Sequence, residues 1–202
     1  MKLANIASGI AVGKVGTSCV SSQEILNALS QRRTAGSGLD WKQKSKIVSM
    51  SEAADIAAQL HRQGRRVGFT NGCFDLLHKG HLHSLMQARG ECDVLMVGLN
   101  TDASIKRLKG QGRPIQDEKT RALLLASLEF VDYVIMFDDD TALPVVDAVR
   151  PDLILKEGYT IENWPEAQLV ESYGGRAVTL TRLEGFSTTN TILKMKLHEI
   201  RH

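Results

Sequence analysis

The chain has 202 residues, enough for one generous domain or one domain with an appendage. Hydrophobic residues at 43% and charged residues at 24% match an ordinary globular protein, which excludes wholesale disorder, a collagen-like chain and a coiled coil. A formal net charge of +2 makes no case for nucleic acid or an anionic membrane surface as partner, and no run reaches the roughly 18 apolar residues of a membrane span.

Aromatic residues are only 5% of the chain, so its core has to be built from Leu, Ile, Val, Ala and Met, which suits α/β layers. The three cysteines, Cys19, Cys73 and Cys92, are an odd number with no C-x-x-C spacing. They point to a reducing cytoplasm rather than a disulfide framework.

Residues 1–48 read as a leader. It begins small and Gly-rich, and a capping box at Ser21 and Glu24 opens a helix to about Arg33. Thr34 to Gly38 then reads as a linker. The domain proper is expected over 49–202. A second capping box, Ser49 to Glu52, opens a helix whose apolar face is Ala53, Ile56, Ala57 and Leu60, ending at Gly64. From Arg65 the period changes. Short aliphatic runs at Val67–Thr70, Val94–Leu99, Tyr133–Phe137, Leu153–Lys156 and Ala177–Thr181 read as strands. Helical stretches fall between them at about 79–89, 117–129, 141–149 and 163–173, with a last one from 189. Five strands alternating with helices predict a Rossmann-like parallel sheet covered on both faces, preceded by the short helical leader. Ligands in such folds bind at the carboxyl ends of the strands, near a switch in strand order.

The densest chemistry follows the first of these strands. Thr70, Asn71, Gly72, Cys73 and Phe74 lie at its carboxyl end, and Gly72 lets backbone N–H groups approach a phosphate closely. His78 and His81 stand at the start of the next helix, whose N-terminus carries about half a positive charge. Gly80 removes a side chain where a nucleotide would lie against that helix. The same imidazoles with His83 are also compatible with zinc, if Cys73 or Asp75 supplied a fourth ligand.

The string Gly72-Cys-Phe74-Asp75-Leu-Leu-His78-Lys-Gly80-His81 resembles the G-x-F-D-x-x-H-x-G-H signature of the nucleotidyltransferase superfamily. Arg182-Leu-Glu184-Gly185-Phe-Ser187-Thr188-Thr189 is similar to the R-x-E-G-x-S-T-T element of its cytidylyltransferase branch. The stretch from Asn100 to Pro114 resembles N-S-D-A-S-x-K-R-L-K-G-x-x-R-P of the heptose 1-phosphate adenylyltransferases. Ala4 to Thr17 looks like the end of the sugar-kinase domain fused upstream in bifunctional members. The leader lacks the kinase's G-A-G-D element. It is not a P-loop either: Gly9 to Gly13 leaves three intervening residues where four are needed, and Val15 stands where Ser or Thr belongs. Lys156-Glu157-Gly158-Tyr159 departs from the family's K-G-G-D-Y, being one residue shorter and lacking the Asp.

The resemblance implies a cytoplasmic enzyme that transfers AMP from ATP to a sugar 1-phosphate, heptose 1-phosphate, for lipopolysaccharide or a related glycan, releasing pyrophosphate. It implies His78 and His81 as the catalytic pair. Thr70, Asn71, Gly72, Cys73, Phe74, Gly80, Asn100, Asp102, Lys106, Arg113, Arg121, Ser187, Thr188 and Thr189 would bind the nucleotide and its phosphates. Mg²⁺ enters with ATP, with no metal site of the protein's own. Partners are ATP and the sugar phosphate, with neither nucleic acid nor membrane. A homo-oligomer and a separate upstream sugar kinase stay open. The alternatives are a cytidylyltransferase acting on glycerol-3-phosphate or another phosphorylated polyol, and a non-catalytic nucleotide-binding module.

Overall fold

The structure is a computed structural model and describes residues 46–186 and 188. The expected leader helix, the linker at 34–38 and the last helix from 189 lie outside the described residues.

The described chain forms a six-stranded sheet in which every neighbouring pair is parallel. Its strands are β1 (Ile47–Val48), β2 (Val67–Gly72), β3 (Val94–Asn100), β4 (Tyr133–Phe137), β5 (Leu153–Glu157) and β6 (Arg176–Leu180). The helices are α1 (Met50–Arg62), α2 (Lys79–Glu91), α3 (Asp102–Lys109), α4 (Glu118–Ala126), α5 (Leu143–Val149) and α6 (Pro165–Ser172), with a 3-10 turn at Ile161–Asn163. The order across the sheet is β1-β4-β3-β2-β5-β6. Without β1 this is the doubly wound Rossmann arrangement, in which the chain reverses its direction of travel at the first strand.

The expected parallel sheet is present with one strand more than the five expected. Ile47 and Val48 pair with Val134 and Ile135 at the sheet edge. A two-residue strand carries no periodicity of its own, so it is set by its neighbours. The Lys46 ammonium anchors it, donating to the carbonyls of Leu128 at 3.0 Å and Val131 at 2.7 Å. The second addition is α3, capped by the Thr101 side chain, which accepts from the Ser104 amide. Ile105 is its one buried large apolar residue, so it shows almost no apolar stripe in the sequence.

Two cores sandwich the sheet. Ala53, Ala57 and Leu60 of α1, Val145, Val146 and Val149 of α5, and Ala167 and Val170 of α6 cover one face, meeting Val67, Phe69, Val94, Met96, Ile135 and Ile154. Leu85 and Ala88 of α2 with Ala122, Leu125 and Ala126 of α4 cover the other, meeting Leu95, Val97, Leu99, Val134 and Leu155. Successive β3 residues feed alternate cores, which is why that strand is an unbroken apolar run. The capping box at Ser49 is formed as expected, with the Glu52 carboxylate accepting from the Ser49 amide at 2.8 Å.

One detail of register positions the site. β2 pairs with β3 over its full length, from Val67 opposite Val94 to Gly72 opposite Leu99. On its other side it pairs with β5 only through Gly68 and Phe69. Beyond Phe69 the two strands part, while β5 continues its ladder with β6 to Glu157. The sheet therefore splits at its carboxyl edge, at the point where the winding reverses.

Candidate active site

A cavity of about 650 Å³ fills this split. That is within the usual range for a small-molecule site. Its walls are the β2 end and following turn (Thr70 to Asp75), the start of α2 (His78, Gly80, His81, Ser84), the ends of β5 and β6 (Lys156, Glu157, Leu180, Arg182), and Lys109, Arg113, Phe186 and Thr188.

The start of α2 is built to hold negative charge. His78 is its N-cap, with its Nδ1 accepting from the His81 amide at 3.3 Å. An accepting Nδ1 leaves the neutral ring's proton on Nε2, which makes Nε2–H the free donor. The His81 ring stacks on His78 with centroids 3.7 Å apart and planes at 17°. The first turn of α2 holds no acid, so the positive end of the helix dipole is not neutralised from within. Burial lowers the His78 pKa from its ordinary value. Burial, then the neighbouring His78 and Lys109 charges, hold His81 down to about 4. Both imidazoles are therefore neutral in the free protein near pH 7. Their protonated forms become affordable only when an anion arrives to offset the charge.

Gly80 has a local reason beside the one expected. A Cβ there would meet His78 Nδ1 at 3.0 Å and the Phe186 Cβ at 3.3 Å. The missing side chain makes room first for the capping imidazole. Gly72 is similar, since a Cβ would meet the Phe74 ring at 3.2 Å. The left-handed backbone of this turn falls on Phe74, at φ 43°, where a bulky residue is strained.

Two buried charges hold that turn in place. Asp75, 1% exposed, accepts from the Ile115 amide at 2.6 Å, the Gln116 amide at 3.3 Å, and Nε of Arg113. Burial pushes its carboxyl up, but the two amides and the guanidinium outweigh this and keep it below the usual carboxylate value. Arg121 has a fully buried side chain. It donates to the carbonyls of Cys73 at 2.7 Å, Asn100 at 2.8 Å and Gln116 at 3.0 Å, and to the Asp102 carboxylate at 2.7 Å.

These contacts correct part of the expected site. Arg121 lies outside the cavity lining, with four of its five N–H donors engaged by Cys73, Asn100, Gln116 and Asp102. Asp102 is its ion-pair partner and lies outside the cavity lining. Asn100 is 5% exposed and donates to Ser104 Oγ at 3.0 Å, bracing the start of α3. Lys106 is exposed on α3 away from the cavity, and Lys109 from the next turn lines it instead. Thr70, Asn71, Gly72, Cys73, Phe74, His78, Gly80, His81, Arg113 and Thr188 do converge on the cavity. Ser187 and Thr189 lie outside the described residues. Ser84, Lys109, Glu157 and Phe186 are lining residues that no motif role singled out. Among the described residues, no group of three or more His, Cys, Asp and Glu side chains is placed to hold a metal ion.

Two outcomes follow from this geometry. Arg121→Met leaves Asp102 and three carbonyls without their buried partner, so it should cost about 3–5 kcal/mol of stability in urea unfolding. A loss near zero would contradict the tie. His81 carries a pH signature. Its unfolded value is about 6.5 and its folded value about 4, so the unfolded chain binds more protons between the two. Stability from neutral His81 is then present above the unfolded value and is lost as pH falls toward the folded one. The urea midpoint of the parent chain relative to His81→Gln should drop between about pH 7.5 and pH 5. An unchanged difference would contradict the buried neutral imidazole.

Comparison with known proteins agrees with the geometry. The cytidylyltransferase-like family model matches residues 69–195, from within β2 to beyond the Arg182–Thr189 element. A bifunctional protein HldE of Paramagnetospirillum magneticum is 49% identical over 195 residues, 96% of this chain and 38% of the relative. The HldE of Geobacter sulfurreducens is 46% identical with the same coverage. The chain thus spans under two-fifths of the length of these curated relatives. Among solved structures, the lipopolysaccharide core biosynthesis protein of Thermoplasma volcanium superposes with a TM-score of 0.52 at 27% identity, covering 60% of this chain and all of the other. A pantoate-beta-alanine ligase of Francisella tularensis shares the fold, at a TM-score of 0.51 and 17% identity over 77% of this chain and 79% of the other. With the family model spanning more than half of the chain and its signature residues gathered on one cavity, the chain belongs to the cytidylyltransferase-like family of nucleotidyltransferases.

Proposed function

We propose that this chain transfers AMP from ATP to a sugar 1-phosphate, with heptose 1-phosphate as acceptor, giving an ADP-sugar and pyrophosphate. The observation that carries the reading is the stacked, neutral imidazole pair on the uncompensated N-terminus of α2, facing a cavity lined by Lys109, Arg113, Lys156 and Arg182. Such a site suits polyphosphate, whose charge grows on the α- and β-oxygens as the bond to pyrophosphate breaks. The choice of sugar and base rests on the resemblance of Asn100 to Pro114 and is supported by the HldE relatives over 96% of this chain. The name of the Thermoplasma protein, for lipopolysaccharide core biosynthesis, supports the same pathway class. A cytoplasmic location goes with this substrate pair. Among the described residues no helix is long and apolar enough to cross a membrane.

The acceptor phosphate is already ionised at neutral pH, so its oxygen attacks the α-phosphorus without a general base. Pyrophosphate departs on the opposite side. The protein then has to position the reactants and meet the growing charge. His78 Nε2–H and the free amides of α2 are the donors aimed at the phosphates, and His81 supports them. Lys109, at the end of α3, and Arg113, in the loop that follows, are the cavity cations assigned to the acceptor phosphate. Asp75 holds Arg113 and the loop carrying it, and so acts by positioning. Mg²⁺, brought with ATP, would neutralise part of the triphosphate charge. Asp75 is fully engaged and Glu157 accepts from Ser84, so the triphosphate oxygens and water are its natural ligands. A separate sugar kinase acting upstream fits the same reading, as does assembly of several copies.

Pyrophosphate release with ATP and CTP against heptose 1-phosphate, hexose 1-phosphates and glycerol-3-phosphate tests this directly. ATP with heptose 1-phosphate should give the highest kcat/KM. A preference for CTP with glycerol-3-phosphate would replace the reading with the cytidylyltransferase one, and no turnover with any pair would make the chain a binding module. In the active pair, His78→Ala and His81→Ala should each lower kcat by about 10²–10³ with the fold intact. Turnover within a few-fold of the parent would remove the role assigned to them.

A further inference from the structure

The cavity is lined by four Lys and Arg side chains and by two carboxylates, Asp75 and Glu157. Asp75 takes Arg113 as its ion-pair partner. Lys156 and Glu157 are neighbours in sequence, yet they point to different partners. The Glu157 carboxylate accepts from Ser84 Oγ of α2, and the Lys156 ammonium lies over the Tyr159 ring, 4.4 Å from its centroid. Burial raises the Glu157 pKa from its ordinary value, and the charges that pull it back are those of Arg182 and His83; Lys156 is not among them. Strand alternation starts this separation. Leu155 and Glu157 face α2, whereas Ile154 and Lys156 face the layer of α1, α5 and α6. Past Phe69, however, β2 is no longer paired beside β5. Both side chains border the cavity there, and the long lysine stem can turn toward the carboxylate unless something holds it.

Tyr159 is placed to hold it. Gly158, at φ 72°, turns the chain directly after β5. Thr179 Oγ1 of β6 donates to the Tyr159 carbonyl at 3.2 Å. The ring tilts against Trp164, with centroids 5.7 Å apart, and Trp164 is itself buried in the core on that face of the sheet. The ring is thus fixed from the glycine turn, from β6 and from the core, although the residue is 39% exposed. A ring face attracts an ammonium through its quadrupole and offers no acceptor oxygen, so N–H donors stay available. A carboxylate would take both the charge and the donors. Holding the ammonium also settles the four-carbon stem in advance, which removes part of the rotamer entropy a loose lysine loses on binding. We propose that Tyr159 is a positioning residue that keeps Lys156 off Glu157 and facing the cavity as an unneutralised cation for a phosphate oxygen of the substrate. This rests on the reading of the cavity as a phosphate-transfer site.

The test is equilibrium binding of inorganic pyrophosphate, which has neither ribose nor base, and of heptose 1-phosphate to the full chain and its variants with Mg²⁺ present. Lys156→Gln should weaken at least one of the two ligands by about 10–100-fold, the loss of a charge-assisted contact. Tyr159→Leu, apolar but without a ring face, should weaken the same ligand about 5–10-fold. Tyr159→Phe, which keeps the ring face, should restore binding to within about twofold of the parent. Added to Lys156→Gln, Tyr159→Leu should cause no further loss. Glu157→Gln should strengthen binding at least about threefold more in Tyr159→Leu than in the parent, because only there does the carboxylate compete for the ammonium. An effect on pyrophosphate puts Lys156 at the triphosphate and an effect on heptose 1-phosphate puts it at the acceptor; either supports the proposal. A parent that binds neither ligand at millimolar concentration overturns the phosphate-site reading itself. If the parent binds, three results overturn the role of Tyr159 alone: binding unchanged in Lys156→Gln, Tyr159→Phe as weak as Tyr159→Leu, or an equal gain from Glu157→Gln in both backgrounds.

Discussion

The site depends on the N-terminus of α2 standing over the gap between β2 and β5. The gap exists because β2 keeps its ladder with β3 to Gly72 but leaves β5 after Phe69. Had β2 and β5 stayed paired to their ends, the carboxyl edge would be closed and the helix would start over a filled sheet. The separation lets free amides, two imidazoles and the cavity cations face one volume. α1, α3, α4 and α6 each carry an acid in the first turn, while α2, like α5, carries none, and α2 starts on Lys79. An acid there would stabilise the empty helix and repel the substrate, so this helix gives up a small local gain for anion binding.

The turn that delivers α2 is strained at Phe74, and strain of this kind persists only when the surroundings over-determine it. Asp75 and Arg121 do so from inside. One carboxylate collects two amides and a guanidinium from the segment around Arg113 to Gln116. One guanidinium collects carbonyls from the ends of β2 and β3 and from that same segment. The two groups therefore lock the β2 turn, the β3 end and the α3–α4 connection into a single rigid rim. A site that works by positioning needs such a rim, because the expected donors must already be aimed when charge develops.

The parallel sheet and its principal helices were legible because β2 to β5 are aliphatic runs of five to seven residues, separated by helical periods with recognisable caps. Motif spacing equally revealed the β2 turn and the two histidines. The missed parts share one property: their structure comes from partners distant in sequence. Ile47 and Val48 are a strand only because β4 lies beside them, and α3 shows little apolar stripe because little of it is buried. The same blindness misjudged charged residues. Nothing local separates Arg121, which is fully buried, from Lys106, which is solvated, since both are helical cations between β3 and β4. Lys109 and Lys106 differ by one turn of the same helix, and only the three-dimensional path of the following loop decides which reaches the cavity. Glu157 was visible as a departure in a loop motif, but its contact with Ser84 spans 73 residues.

The central claim is that the neutral, stacked pair His78 and His81 receives a triphosphate. The most direct measurement is the ¹⁵N-resolved titration of their imidazoles by NMR, with and without a non-hydrolysable ATP analogue. The stacked rings titrate as a pair, so the apparent values belong to both. In the free protein the lower step should lie near 4, with His78 carrying its proton on Nε2. With the analogue bound, both steps should rise by at least about one unit, since an anion within hydrogen-bond reach favours the charged imidazole. If the analogue binds and neither titration moves, the phosphates lie elsewhere and the account of the site is wrong.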